Sequence, residues 1–234
     1  MISDPPHPIR AITFDLDDTL WDVWPVVERA EQRLHAWLEH YYPRIPALFT
    51  SLELRTVCFE IAKQHPHLAH DRSALRKEGL LLAAKQADYA EFQVESAFQI
   101  FYAARNEVVL FAEVLTVLER LSRCYILGAL SNGNADIGLI GLDHLFAFAI
   151  NAVDVGAAKP EPAMFKAACR YLGVLPQQIV HVGDNPEHDI SGAMRAGMRA
   201  VWVNRTGREW PGGERADAEI KTLEELEVLL ERWS

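Results

Sequence analysis

The sequence predicts an α/β protein with a Rossmann-like, doubly wound parallel sheet and an inserted all-helical domain. Three observations predict this fold. Short apolar runs, typical of buried strands, alternate with helical periodicity after about residue 108. A long block with helical periodicity alone separates the first apolar run from the others. The clusters of polar residues follow the ends of the predicted strands, where doubly wound sheets bind ligands.

The first strand is predicted at about 9–15, after a Pro-rich leader at residues 1–8. In the helical block, Pro43 ends one helix and Asp71 is an N-cap candidate for another. The helices predicted in this block are 23–42, 51–64, 73–86 and 89–105. The block therefore predicts a helical domain over residues 22–106.

Strands and helices alternate in the rest of the chain. Gly173 is expected to close one of these helices, and Thr222 to cap the last. The predicted strands are 125–130, 146–151, 179–182 and 200–203. The predicted helices are 113–122, 137–141, 161–172, one ending at 196, and 223–232. The core domain therefore comprises residues 1–21 and 107–234.

Composition limits the classes of partner. A formal net charge of −10 argues against a protein that binds nucleic acid or anionic membranes. The N-terminus does not resemble a signal peptide, and no apolar stretch has the length of a membrane span. Cys58, Cys124 and Cys169 have neither metal-ligand spacing nor disulfide density, so we expect free thiols. A cytoplasmic location fits these features.

Asp15 and Asp17 end the first predicted strand. Being two residues apart, they point the same way on an extended chain. Two neighbouring carboxylates repel unless a cation lies between them or one is protonated. The pair therefore indicates either a Mg²⁺ site or a nucleophile beside a general acid. The alternative is an Asp-rich turn that closes a strand.

Other polar residues follow later strands. Ser131 and Asn132 come at a strand-to-helix junction, where hydroxyl and backbone N–H groups bind anions. Lys159 precedes a helix and could contact a phosphate oxygen, although a solvated lysine is the simpler interpretation. Asp184 and Asp189 add hard oxygen ligands, which favour Mg²⁺, or they could belong to a turn and a cap. We interpret His181, inside a predicted strand, as a core histidine.

In this order, these residues resemble the four motifs of the haloacid dehalogenase-like (HAD) hydrolase superfamily. The matching segments are Asp15-Leu16-Asp17-Asp18-Thr19, Ser131, Lys159-Pro160, and Gly183-Asp184 with Asp189. The resemblance covers about 9–20 and 108–203, and the helical block lies where subfamily I carries its C1 cap. A narrower resemblance is to bacterial phosphatases that act on FMN and on the phosphorylated pyrimidine of riboflavin synthesis.

The resemblance implies a role for each residue. Asp15 is expected to be the nucleophile that forms an aspartyl-phosphate, and Asp17 the general acid and base. Mg²⁺ is expected to be bound by the Asp15 carboxylate, the Asp17 backbone carbonyl and Asp184. Asp189 is expected to support the ion indirectly or through a water molecule. Ser131, Asn132 and Lys159 are expected to bind the phosphoryl group.

Asp17 also separates the reactions of this superfamily. Its dehalogenases lack the second aspartate, because a halide leaves without a proton, so a phosphatase is favoured. The alternatives are a phosphomutase or a 2-haloacid dehalogenase of the same fold, a non-catalytic binding relative and a receiver-like signalling domain. The expected partner is a small phosphorylated metabolite, and the chain is expected to be a monomer or a homodimer. Arg72, Arg76 and Lys77, with Trp24, could meet this substrate or could form a solvated helix face and a core tryptophan.

Overall fold

A computed structural model describes residues 8–233 of the chain. The chain divides into two compact units. Within the described residues, a core unit comprises 8–22, 109–133 and 141–233, and a helical unit comprises Val23–Val108 and Asn134–Ile140. The segment Asn134–Ile140 lies outside the range predicted for the helical domain. The assignment of the units as core domain and cap stays a prediction, and most of the predicted leader lies outside the described residues.

The core unit is built on one parallel sheet. Its strands are β1 (Ala11–Phe14), β2 (Ile126–Ser131), β3 (Phe148–Asn151), β4 (Ile179–Gly183), β5 (Arg199–Val203) and β6 (Ala218–Ile220). Their order is β3-β2-β1-β4-β5-β6, with every neighbouring pair parallel. This order, with helical connections between strands, is the doubly wound arrangement, so the predicted α/β fold is confirmed.

β1 lies at the centre of the sheet. All four of its residues are buried, because helices cover both faces of a parallel sheet. Phe14 is in register with Ala129 of β2 and with Val182 of β4. The residues that follow these three strands therefore emerge at the same edge of the sheet.

Helices of the core unit cover the sheet. They are α6 (Val114–Leu121), α8 (Ala152–Val155), α9 (Ala163–Leu172), α10 (Gly192–Arg195) and α11 (Glu224–Trp233). Gly173 ends α9 with a positive φ of 63°, as the sequence predicted. A wide π-turn, Pro186–Ser191, precedes α10, so the predicted helix ending at 196 is only partly α-helical. Phe165 of α9 and Trp202 of β5 are among the largest buried side chains here.

The helical unit contains most of the inserted block. Its helices are α1 (Val23–Tyr41), α2 (Arg44–Leu48), α3 (Ser51–Gln64), α4 (Arg72–Gln86), α5 (Val94–Arg105) and α7 (Ile137–Ile140). A short 3₁₀ turn, Pro66–Leu68, separates α3 from α4. The unit has its own apolar core, which includes Leu34, Leu80 and Phe101. None of the described helices has the length and apolar character needed to cross a lipid bilayer.

Caps explain where these helices begin. Asp71 accepts a hydrogen bond from the Ala74 N–H, which confirms it as the N-cap of α4. Thr50 and Glu53 form a capping box at the start of α3. The predicted start of α5 near Tyr89 is wrong, because the helix begins at Val94.

Candidate active site

The predicted site residues meet at the edge of the sheet where β1, β2 and β4 end. They line a small pocket with a volume of about 160 Å³. The predicted residues that line it are Asp15, Asp17, Ser131, Asn132, Lys159, Asp184 and Asp189. Asp18, Gly133, Asn185 and His188 complete the lining.

Lys159 lies at the centre of this pocket and is almost fully buried. Its Nζ donates to Asp15 Oδ1 at 2.7 Å, to Asp189 Oδ1 at 2.7 Å and to the Leu130 carbonyl at 2.6 Å. These contacts use all three ammonium protons. Burial lowers the pKa of Lys159, but the carboxylates of Asp15 and Asp189 outweigh this, so the pKa is raised. Lys159 is therefore a permanent cation between two carboxylates.

Asp15 and Asp17 are held by different partners. The second oxygen of Asp15, Oδ2, accepts from the Thr19 hydroxyl at 3.3 Å. Burial raises the pKa of Asp15, and the Lys159 ammonium opposes this rise. Asp17 Oδ1 accepts a hydrogen bond of 2.9 Å from the indole N–H of Trp21, which is fully buried. The Asp15 side chain is therefore hydrogen-bonded to Lys159, and the Asp17 side chain is hydrogen-bonded to Trp21.

The Asn132 side chain joins two loops of the site. Its Nδ2 donates to the Lys159 carbonyl at 2.9 Å, and its Oδ1 accepts from the Lys159 N–H at 2.7 Å. The Ser131 hydroxyl accepts from the Gly133 N–H at 2.9 Å, and Ser131 is 1 % exposed. The Asn132 side chain therefore fixes the Lys159 backbone. A contact between Asn132 and phosphate stays a prediction, and would come from its backbone N–H.

Three carboxylates in the pocket could hold a metal ion. One oxygen each from Asp15, Asp184 and Asp189 lie within 4.8 Å of one another. This donor set fits Mg²⁺, which prefers hard oxygen ligands. Burial and the charges of Asp189 and Asp18 raise the pKa of Asp184 to about 7, although Arg208 opposes the rise. A cation at this point would relieve the repulsion from Asp189 and Asp18 that adds to the effect of burial.

Mg²⁺ binding should therefore weaken below neutral pH. Because Asp184 must lose its proton to act as a ligand, the Kd for Mg²⁺ should rise about tenfold per pH unit below about pH 7. Isothermal titration calorimetry with Mg²⁺ over a pH series measures this. The Asp184→Asn protein should bind Mg²⁺ weakly at every pH, with a flatter pH dependence. A wild-type Kd that is constant across the series would contradict the expectation.

Asp189 has a different environment from Asp184. Burial raises its pKa, but Lys159 and the hydrogen bond from His181 outweigh burial and hold the pKa well below its usual value. Asp189 Oδ2 accepts from the Asn185 N–H at 2.9 Å. A Cβ on Gly183 would lie 2.3 Å from Asp189 Cγ, so only glycine leaves room for this carboxylate. Asp189 is therefore an ionised, closely packed partner of Lys159.

Sequence reasoning missed several residues that shape the site. Arg208 Nη2 contacts Asp184 twice, at its carbonyl (2.9 Å) and at Oδ2 (3.3 Å). The Trp202 indole N–H also donates to the Asp184 carbonyl, at 2.8 Å. The side chain of Asn204, just after β5, is hydrogen-bonded to both the N–H and the carbonyl of Arg208. No motif marks the loop after β5, and the Asn204–Arg208 spacing is the only local signal.

Two of the candidate substrate contacts in the helical unit, Arg76 and Lys77, have partners within that unit. Arg76 pairs with the buried Glu31 and lies over the Phe101 ring. Lys77 pairs with Glu95 at 2.8 Å. Trp24 is 54 % exposed, so it is not a core residue. A role for these residues in substrate binding stays a prediction.

The sequence of the chain is similar to that of a known protein family and of a bacterial phosphatase. The model of the haloacid dehalogenase-like hydrolase family matches residues 9–197. The chain is 32 % identical over 199 residues to the 5-amino-6-(5-phospho-D-ribitylamino)uracil phosphatase YigB of Escherichia coli (strain K12), with 83 % of each chain covered.

Two solved structures are similar over nearly the whole chain. The structure of a 2-haloacid dehalogenase from Pseudomonas syringae pv. Tomato DC3000 has a TM-score of 0.91 and 40 % identity, and the match covers 97 % of this chain and all of that one. A HAD phosphatase from Thermococcus onnurineus has a TM-score of 0.68 and 27 % identity, covering 95 % of this chain and 98 % of that one. Together with the family model, these matches show that the chain belongs to the haloacid dehalogenase-like hydrolase family.

Proposed function

We propose that this protein is a Mg²⁺-dependent phosphomonoesterase that hydrolyses a small phosphorylated metabolite through an aspartyl-phosphate on Asp15. The observation that carries the proposal is the second aspartate, Asp17, which lines the same pocket as Asp15 and is oriented by Trp21. An alkoxide leaving group needs a proton, whereas a halide does not. A second carboxyl group beside the nucleophile therefore supports ester hydrolysis.

The reaction has two steps. In the first, an Asp15 carboxylate oxygen attacks phosphorus, the P–O ester bond breaks, and Asp17 gives its proton to the leaving oxygen. In the second, Asp17 takes a proton from water as the water oxygen attacks the phosphorus of the aspartyl-phosphate. The P–O bond to Asp15 breaks, which releases inorganic phosphate and restores both carboxyl groups.

Charge explains why a metal ion belongs to the proposal. Asp15, Asp184 and Asp189 carry three negative charges when ionised, and Lys159 supplies one positive charge among them. Mg²⁺ would be held by the Asp15 and Asp184 carboxylates and by the Asp17 backbone carbonyl. Asp189 would support the ion indirectly or through a water molecule. When bound, the ion supplies charge neutralisation for the phosphoryl oxygens.

The phosphoryl group also needs donors from the chain. The protons of Lys159 are all used by protein acceptors, so a phosphoryl oxygen has to replace one of these acceptors to contact Lys159. The Ser131 hydroxyl and the backbone N–H of Asn132 lie at the end of β2 and line the pocket. We assign them the first contacts with the phosphoryl oxygens, with Lys159 acting mainly on the charge of Asp15.

A second candidate function is 2-haloacid dehalogenation. It is favoured by the 40 % identity to the 2-haloacid dehalogenase from Pseudomonas syringae pv. Tomato DC3000. In that reaction Asp15 would displace a halide and Asp17 would have no leaving group to protonate. A phosphomutase or a non-catalytic binding relative are further alternatives that the same assay separates.

Phosphate release from a panel of phosphomonoesters tests the proposal. The panel includes FMN, 5-amino-6-(5-phospho-D-ribitylamino)uracil and sugar phosphates, with and without Mg²⁺, and (S)-2-chloropropionate is assayed for chloride release. We expect Mg²⁺-dependent phosphate release that the Asp15→Asn protein loses by at least about 10⁴-fold. Chloride release without phosphate release would favour the dehalogenase. Isomerisation of a sugar phosphate without net phosphate release would favour a phosphomutase.

The cellular compartment and the oligomeric state are also part of the proposal. Cys58, Cys124 and Cys169 are free thiols in the structure, which supports a reducing compartment such as the cytoplasm. We expect a monomer or a homodimer, and light scattering of the purified protein distinguishes the two. The order of phosphate-release rates across the ester panel identifies the preferred class of substrate.

A further inference from the structure

We propose that His181 is a positioning residue for this reaction: its Nε2–H holds the Asp189 carboxylate, which in turn holds Lys159 on the nucleophile Asp15. The inference rests on the proposed function, because its kinetic readout is phosphomonoester hydrolysis. His181 belongs to none of the four motifs. It lies inside β4 and is fully buried, so it acts only through other residues.

A buried chain of polar contacts connects His181 to the nucleophile. The Thr13 hydroxyl lies 2.9 Å from His181 Nδ1, and His181 Nε2 lies 3.3 Å from Asp189 Oδ1. The same Asp189 oxygen accepts from Lys159 Nζ, which also donates to Asp15. Thr13 lies in β1 and Asp15 directly follows this strand, so the contacts connect two positions that are two residues apart in the sequence.

The contacts assign the proton positions on His181. Asp189 Oδ1 accepts from the Lys159 ammonium and is an ionised acceptor, so the ring nitrogen that faces it must carry a proton. The other ring nitrogen, Nδ1, faces the Thr13 hydroxyl at 2.9 Å, which satisfies a neutral ring as a hydrogen-bond donor. Nδ1 then has a lone pair, and the Thr13 hydroxyl donates to it. Thr13 therefore selects the tautomer that Asp189 needs.

The orientation of the Asp189 carboxylate depends on contacts at both of its oxygens. Its Oδ2 is held by the Asn185 N–H, and Gly183 lies against its Cγ. Without the His181 donor, Oδ1 keeps only the Lys159 contact. Lys159 is then held less firmly between Asp15 and Asp189, and the attacking carboxylate is less well aligned. Because His181 is fully buried and does not line the pocket, substrate affinity should change little.

Kinetics of three variants test this role. His181→Leu removes both ring nitrogens, His181→Gln keeps a side-chain N–H donor, and His144→Leu alters an exposed histidine as a control. We expect His181→Leu to lower kcat about 10- to 100-fold with KM within about threefold of wild type. His181→Gln should recover most of the lost kcat, and His144→Leu should match wild type. An unchanged kcat in His181→Leu, or no recovery in a folded His181→Gln protein, overturns the proposal.

A spectroscopic measurement on the wild-type protein does not depend on variants that fold. ¹⁵N NMR of protein labelled at histidine distinguishes a protonated ring nitrogen from an unprotonated one. We expect His181 to be protonated at Nε2 and unprotonated at Nδ1 at neutral pH, and a Thr13→Val protein to lose this strict preference. Protonation at Nδ1 alone overturns the proposal. If wild type hydrolyses no phosphomonoester, the proposed function fails, while the tautomer measurement still tests the His181–Asp189 contact.

Discussion

Replacing Lys159 with methionine should lower the free energy of unfolding by about 3–5 kcal/mol at neutral pH and abolish detectable turnover. Methionine has a similar length but no charge. The Lys159 side chain is 1 % exposed and its Nζ lies 2.7 Å from both Asp15 and Asp189. Its loss leaves two buried carboxylates facing each other without a cation. Urea denaturation in Mg²⁺-free buffer measures the change in stability.

The pH dependence identifies the cause of this destabilisation. In wild type the pKa of Asp189 is lowered, so its stabilising contribution is present at neutral pH and is lost as the pH falls below its ordinary value. In Lys159→Met, we expect one carboxyl group to have a raised pKa, which destabilises the variant as the pH rises from about 4 to 7. The difference between the two proteins should therefore shrink at acid pH.

Lys166→Met is the matched control, because Lys166 is exposed on α9. This variant should stay within about 0.5 kcal/mol of wild type at every pH. Mg²⁺ should also recover part of the stability of Lys159→Met, since the ion supplies the missing positive charge. If charge is the cause, each unit of pKa shift should change the free energy of unfolding by about 1.36 kcal/mol between pH 4 and pH 7. A loss of stability in Lys159→Met that is the same at both pH values would instead point to a cavity.

The sheet was predictable because of where its strands lie. β1, β2, β4 and β5 are buried almost throughout, so each is a continuous apolar run that the sequence displays directly. β6 was missed, because three residues that include the exposed Glu219 have no such run. α2 was missed because Pro46 lies inside it. The start of α5 was misplaced because aromatic residues before Val94 extend its helical periodicity, while Asp88 adopts a positive φ of 56°.

The site was predictable to the extent that strand ends determine it. Asp15, Ser131 and Asp184 each lie at or just after the end of a strand, and parallel register brings such positions together. Arg208 has no such relation to the sheet, since the loop after β5 decides where its side chain lies. His181 was interpreted as a core histidine, and its burial is confirmed. Its contact with Asp189 depends on the path of the Pro186–Ser191 turn, which strand and helix periodicity do not predict.

Replacing Asp17 with asparagine should convert the enzyme into one that reacts once with activated esters. Asparagine retains an oxygen for the Trp21 indole N–H but has no proton to give or base to accept one. With an alkyl phosphate, kcat should fall about 10²- to 10⁴-fold, because the alkoxide leaves unprotonated. With p-nitrophenyl phosphate the first step needs little protonation, so we expect a rapid burst of about one p-nitrophenol per enzyme, followed by slow turnover.

The burst separates the two roles assigned to Asp17. Loss of the general acid affects alkyl esters alone, whereas loss of the general base slows hydrolysis of the aspartyl-phosphate for every substrate. Mass spectrometry of the quenched Asp17→Asn protein should therefore detect phosphate on the peptide that contains Asp15. Asp22→Asn, which alters an exposed carboxylate just beyond the motif, should show neither effect. Wild-type rates for alkyl esters in the Asp17→Asn protein would refute the role of Asp17 as a general acid. Chloride release from (S)-2-chloropropionate that is unchanged in this variant would instead favour the dehalogenase.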